Sequence, residues 1–420
     1  MPDVPDVDLD LREYVRPGDT VVWGQGAGEP LALVGALVAQ REQVGPVRGF
    51  AVLSYSDLVG PEHRDFIQMV SIGATGTLTR LARAGALEIV PVGISAIDGL
   101  YATGRLGCDV VLVQVSPADA EGWHRLGLGM DALPRCVELA RVVLAEVNDQ
   151  LPVTAGPFRV HTSQISAAVQ TSRSMIEVPM IPPTAVELEV AARVAGLVPD
   201  GATVQFGIGR LPDAIATALA RHRGLAVHSG LVTDALVELV EAGTVDPGRT
   251  SVIGAAVGTA PLYDLLTRSP WIEVHPYTRT HDPAVLAAVP GFVAMNSALE
   301  IDLTGQIGAE VVGGVHLGAV GGQSDFLRGA VRSPGGIPIV ACVSTTGGGR
   351  RSRIVEHLDG GVVTTARSDA GLVVTEHGVA DLRGRTLRQR AEALVAVADP
   401  AFRDELAAAA SQATNEESHR

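Results

Sequence analysis

The stretch from Asn296 to Ala330 reads NSALEIDLTGQIGAEVVGGVHLGAVGGQSDFLRGA. It opens as a buried strand, passes through an acidic pair, Glu300 and Asp302, and reaches a glycine loop, Gly318-Ala319-Val320-Gly321-Gly322. The loop closes on Asp325 and Phe326. Glycines this dense let backbone N–H groups approach a ligand, because no Cβ stands in the way. Glycine also serves tight turns and close packing, so the loop alone leaves both readings open.

Working outward, the two halves of the chain echo each other. Asp19–Gly26 leads to Pro30 and then Ala36-Leu37, while Ala202–Gly209 leads to Pro212 and then Ala218-Leu219. Each reads as a short buried strand, a glycine turn, and a helix opened by proline in its first turn. A second echo pairs Asp109–Pro117 with Gly291–Gly305, each an apolar strand running into a polar loop. The echoes predict a duplicated unit with mainly parallel sheets. The prolines of Val178-Pro179-Met180-Ile181-Pro182-Pro183 cannot continue a helix or a central strand and mark the expected boundary. We therefore expect one α/β domain over 1–178, a second over 184–410, and a polar tail over 411–420. The two open sheets should face each other across a cleft, with ligands bound outside the carboxyl ends of the strands.

Composition narrows the chemistry. The formal net charge is −15, which argues against nucleic acid or an anionic membrane as partner. All 32 Lys+Arg residues are arginine, so Schiff-base and P-loop lysines are excluded. The acidic start, MPDVPDVDLDLREYV, has no apolar core of the signal-peptide kind. Cys108, Cys136 and Cys342 have neither zinc spacing nor a disulfide framework and read as buried thiols in a reducing cytoplasm. The scattered histidines His124, His275, His281 and His316 show no metal-binding spacing, and no metal is expected.

Several motifs together resemble the acetyl-CoA hydrolase/transferase family, which includes the 4-hydroxybutyrate and acetate CoA-transferases. They are the Asn-Ser-Ala-x-x-x-Asp-Leu-x-Gly-Gln run from Asn296, the loop ending in Asp325-Phe326, Gln114–Pro117, Gly122–Gly127, Ala145–Gln150, Phe206–Gly209 with Pro212, and Val374–Gly384. The resemblance spans nearly the whole chain. It implies two domains of the CoA-transferase type, an acyl-CoA substrate, coenzyme A as part of that substrate with no separate cofactor, and a fold compatible with a homodimer.

On this resemblance Gly207, Gly209, Gly318, Gly321, Gly322 and Asp325 are the candidate CoA-binding residues: Gly318, Gly321 and Gly322 approach the thioester or pantetheine, and Asp325 either fixes the loop by accepting backbone hydrogen bonds or is a solvated turn residue. The basic run Gly347–Arg353 is either a phosphate contact or a solvated loop. Glu376 is either an organiser of the site or a structural carboxylate, and His377 follows it where relatives usually carry tyrosine. The decisive departure lies at His228-Ser229-Gly230. Members that transfer CoA carry a glutamate after His-Ser or His-Thr, and its carboxylate relays the acyl group covalently; Gly230 has no side chain to do so. Glu300 could instead serve as base for a water molecule, and His228 as base or hydrogen-bond donor, though either could be structural. Ser229 lacks the context of an activated nucleophile. Hydrolysis of an acyl-CoA, or a related reaction without a ping-pong relay, is the leading expectation. CoA transfer, carbon–carbon hydrolysis of a β-keto or cyclic-diketone acyl-CoA, and a CoA-binding protein without activity are the alternatives.

Overall fold

A computed structural model of the chain describes residues 5 and 7–417. The chain forms two units that are not continuous in sequence. The first runs to Pro179 and takes in Gly230–Asp234 and Pro247–Thr280; the second holds Met180–Ser229, Ala235–Asp246 and the chain from His281 onward.

The first unit is built on seven strands: β1 (Thr20–Trp23), β2 (Val47–Phe50), β3 (Ile67–Ser71), β4 (Leu87–Ile89), β5 (Val110–Val115), β6 (Val142–Asn148) and β7 (Ala167–Thr171). Their spatial order is β4-β3-β2-β1-β5-β6-β7, and every pairing is parallel. All residues of β5 and β6 are buried, as expected of parallel strands covered on both faces. Helix α1 (Leu31–Val44) follows β1 and starts directly after Pro30. It buries Leu33, Val34 and Leu37 in a core shared with Trp23, Met69 and Leu144. The pair Ser251–Ala256 and Ile272–Val274, also parallel, belongs to this unit.

The second unit repeats the plan. Strand β8 (Thr203–Phe206) lies between β9 (Ala226–Val232) and β10 (Phe292–Ser297), followed outward by β11 (Ile337–Ala341), β12 (Leu372–Thr375) and β13 (Gly378–Asp381). All these pairings are parallel except the last, β12 with β13. The sequence echoes thus fall on equivalent strands: β1 and β8 stand at corresponding places, and each pairs with the strand of the second echo, β5 or β10. Two helices rise from glycine turns, α2 (Arg210–Ala218) after β8 and α3 (Gln323–Arg332) after the long glycine loop. Phe206 and Phe292 are almost wholly enclosed, each contributing roughly 1.5–3 kcal/mol from burial.

Between β10 and α3 the chain makes the short strand Glu300–Asp302. Asp302 accepts hydrogen bonds from Thr304 N, Thr304 Oγ1, Gln306 N and Gln306 Nε2. That cage explains the Asp-Leu-Thr-Gly-Gln run as a folding device. Gly305 (φ +93°) turns the cage over against Arg390 and Leu382. The terminal helix Arg403–Glu417 carries the chain through most of the segment read as a polar tail; 418–420 lie outside the described residues. Among the described residues, no helix is long and apolar enough to cross a membrane.

Candidate functional site

In the second unit the carboxyl ends of the parallel strands gather the residues singled out from sequence. Strand β8 ends in Gly207-Ile208-Gly209, β9 carries His228 and Ser229, and β10 runs through Ser297 toward Glu300. Beyond β11 comes Ser344, and beyond β12 come Glu376 and His377. This edge is where open parallel sheets place their ligands.

The glycines divide into two kinds. A Cβ on Gly209 (φ +109°) would meet nothing within 4 Å, and one on Gly321 (φ +57°) would meet only Ala319 O at 3.9 Å. These two turn outward. A Cβ on Gly322 would lie 2.5 Å from the His281 ring and 2.8 Å from Phe326, and one on Gly318 would lie 2.2 Å from Ala309 O. Those two are held small by protein neighbours. Gly207 would place a Cβ at an ordinary 3.6 Å from Pro212. Neither α2 nor α3 has a side-chain cap; Gly209 and Gly322 occupy the cap positions. Their first-turn N–H groups are the kind that receive an anion or a polarised oxygen. Asp325 is buried in the first turn of α3.

His228 is buried and meets the Phe292 ring edge-on, with centroids 6.1 Å apart. His281 packs on Phe326 at 4.7 Å, and burial, aided by the charge of His228, holds its imidazole down to about 3, so it is neutral. Ser229 donates its hydroxyl to Phe206 O at 2.9 Å, which ties β9 to β8. Gly230 follows within β9. Glu300 is half-buried, at the start of its short strand, where it pairs with Gly308. Glu376 accepts from Ser344 N at 2.8 Å and Ser344 Oγ at 2.6 Å, fixing the turn after β11. His377 Nε2 stands 3.7 Å from both Glu376 and Asp399. In the basic run, Arg350 and Arg351 are exposed, whereas Arg353 turns inward and donates Nη1 to the carbonyls of Ala298 and Leu299.

The first unit carries a second polar group that the sequence reading passed over. Glu29 is enclosed and accepts from Tyr55 N (2.7 Å), Ser56 Oγ (2.7 Å) and Ser54 Oγ (3.0 Å). Burial pushes its carboxyl up to about 7 against those hydrogen bonds. Glu146 pairs with Arg173 at 2.5 Å and receives Ala32 N at the start of α1. Asp131, the one non-glycine with positive φ among the described residues (+50°), takes hydrogen bonds from Gln25, and burial raises it to about 6. An acid wedged between glycine and a helix-opening proline was a readable signal for Glu29. Asp131 had none, because Gln25 is remote in sequence. Among the described residues no group of three or more His, Cys, Asp or Glu is placed to hold a metal ion.

Comparison with known proteins bears on this arrangement. Residues 9–182 match the acetyl-CoA hydrolase/transferase N-terminal domain, and 258–410 match its C-terminal domain. The chain is 35% identical over 398 residues to the 4-hydroxybutyrate coenzyme A transferase of Clostridium kluyveri, covering 92% of each. It is 24% identical to the acetyl-CoA hydrolase of Candida albicans over 334 residues, 68% of this chain and 62% of that one. Among solved structures, RipA from Yersinia pestis superposes with a TM-score of 0.90 at 32% identity, covering 96% of each chain. The 4-hydroxybutyrate CoA-transferase of Porphyromonas gingivalis superposes with a TM-score of 0.80 at 34% identity, covering 94% of this chain and 93% of that one.

Proposed function

This chain belongs to the acetyl-CoA hydrolase/transferase family, and we propose that it hydrolyses an acyl-CoA thioester, or carries out a related reaction without a ping-pong relay, at the carboxyl edge of the second sheet. The observation that carries the choice of reaction is Gly230. It sits inside β9, at the position where the resemblance puts a nucleophilic glutamate, and it offers no carboxylate. A covalent relay cannot start there.

Hydrolysis needs a base, a site for the developing oxyanion and a leaving group. In this reading Glu300 removes a proton from water as the oxygen attacks the thioester carbonyl carbon. Backbone N–H groups of the Gly321 turn meet the charge that forms on the carbonyl oxygen. The C–S bond then breaks, and the thiolate of coenzyme A leaves and takes the proton from the Glu300 carboxyl. The Gly207–Gly209 turn and Gly318–Asp325 hold the rest of the substrate, and His228 lines the site from β9. Coenzyme A enters as part of the substrate, and no separate cofactor is required.

The names of the relatives favour a second reading, CoA transfer between carboxylates. The test is turnover of an acyl-CoA panel in ¹⁸O-water, with and without acetate as acceptor. Hydrolysis predicts free coenzyme A, one ¹⁸O in the released acid, and a rate indifferent to acetate. Parallel-line kinetics with acetyl-CoA as product would establish transfer instead. An opened or shortened acyl-CoA would establish carbon–carbon hydrolysis, and no turnover with intact binding would leave a binding protein.

A further inference from the structure

The first unit contains a small internal cavity of about 20 Å³ that the reaction proposed above does not use. Gln25, Tyr101, Asp131, Cys136 and Tyr277 are the polar residues of its wall, and each of them is buried. Tyr101 belongs to the helix Ile97–Ala102, and its ring meets Phe50 edge-on with centroids 5.9 Å apart. It is only 3% exposed, so the hydroxyl cannot swing out to solvent. That hydroxyl has no hydrogen-bond partner in the protein. Burial first, and then the neighbouring Cys136, push the phenol well above its ordinary range. It therefore keeps its proton and is a donor in need of an acceptor. Native proteins leave few buried polar atoms unanswered.

The other polar groups of the wall are already organised. Asp131 accepts from Gln25 N at 3.2 Å and from Gln25 Nε2, which also donates to Tyr277 Oη at 3.0 Å. Tyr277 N donates to Asp131 O at 3.0 Å. Together these bonds hold the left-handed turn at Asp131 (φ +50°). The carboxyl and phenol oxygens keep lone pairs to spare.

Size and chemistry name the occupant. One water molecule needs roughly 10–15 Å³ of such space, and 20 Å³ leaves no room for an organic group. Cavities that stay dry are apolar, whereas a polar one holds a water that makes two to four hydrogen bonds. Water can accept from the Tyr101 hydroxyl and donate to an oxygen of the wall in the same pose.

We propose that this cavity is a one-water site, in which an internal water accepts from Tyr101 Oη and donates to the Asp131–Tyr277 group. The water joins the helix Ile97–Ala102 to the turn after β1, where Gln25 lies. The site is independent of the acyl-CoA reading and takes no part in bond breaking.

The experiment pairs a crystal structure at near-atomic resolution with thermal melting, both on the intact chain. The wild type should show one ordered water within hydrogen-bond reach of Tyr101 Oη and of a second polar atom of the wall. Tyr101→Phe keeps the ring and deletes only the donor. It should lose that water or leave it disordered, and melt about 1–2 °C lower, the size of one net hydrogen bond in a chain of this length. A dry cavity reverses the sign: deleting an unanswered hydroxyl would leave the melting temperature unchanged or raise it. That result, or a wild-type map without the water, overturns the site. If Tyr101→Phe does not fold, the wild-type map decides alone.

Discussion

The carboxyl edges of the two sheets have the same topology and differ in what their polar groups meet. At the first edge the acids are inside and answered: Glu29 by two serines and an N–H, Glu146 by Arg173, Asp131 by Gln25. At the second edge the backbone is opened by glycine, and Ser297, Gln323 and Arg353 keep polar atoms unmatched. A duplicated unit has therefore diverged in how it uses polarity. At the first edge the charges are answered by neighbouring turns, whereas at the second Ser297 Oγ, Gln323 Oε1 and Arg353 Nε meet no protein partner.

The largest effect should come from breaking the closed edge. Glu146 and Arg173 are both almost fully buried, so Glu146→Ala strands a guanidinium and removes the acceptor for Ala32 N. A loss of about 3–5 kcal/mol is expected, read as a drop in the urea midpoint. A loss below about 1 kcal/mol would mean that the pair does not hold this edge. The matching change at the open edge is Glu300→Gln. It should lower turnover by about a hundredfold or more while leaving acyl-CoA affinity nearly intact. Parallel losses of affinity and thermal stability would make Glu300 structural.

Next come the two glycines at the mouth of α3. Gly322→Ala drives a Cβ into the His281 ring and should cost about 1–3 kcal/mol of stability. Gly321→Ala meets no neighbour closer than 3.9 Å and pays only for its left-handed backbone, roughly 1–2 kcal/mol. It should nevertheless weaken coenzyme A binding more than the stability loss accounts for. Unchanged affinity for coenzyme A by calorimetry in a folded Gly321→Ala protein would move the ligand away from this loop.

The closed edge also makes a prediction about pH. The Glu29 carboxyl is raised from 4.5 to about 7 in the folded chain, and Asp131 from 3.8 to about 6. Each binds its proton more tightly when folded. Their protonated forms therefore support the fold fully below about 4, and that support is lost as pH rises through 6 and 7. Glu29→Gln should flatten the fall in melting temperature between pH 5 and 7. An identical pH profile for the variant would show that Glu29 is already ionised at pH 5.

Much of this was legible in the sequence, for local reasons. Strand, glycine turn and proline-led helix recur within short windows, so the echo of β1 and α1 in β8 and α2 could be seen directly. The return of Pro247–Thr280 to the first unit could not, because no local pattern encodes a long-range pairing. The candidate residues were visible by type but not by circumstance. Gly321 and Gly322 look alike in sequence, and only His281, far back in the chain, distinguishes them. The same holds for Arg353, which shares a basic run with Arg350 and Arg351 yet turns inward.

The smallest expected effect concerns Gly230. A glutamate there would place a carboxylate at the position where the sequence resemblance puts the relay glutamate. Gly230 lies within a strand, and an extended backbone accepts any side chain without left-handed strain. The neighbourhood is tight, however: a Cβ on Gly254 would already lie 2.5 Å from Gly230 O, so the backbone there has no room to shift. Gly230→Glu should fold, hydrolyse more slowly than the wild type, and show trace exchange of coenzyme A between carboxylates. After acyl-CoA and hydroxylamine, the variant's peptide 224–241 should carry a hydroxamate adduct that the wild-type peptide lacks. The wild-type spectrum carries the argument. Efficient transfer by the wild type, with a covalent adduct on another side chain, would show that the relay has moved to a different carboxylate rather than been lost. Glu300 would be the first residue to search.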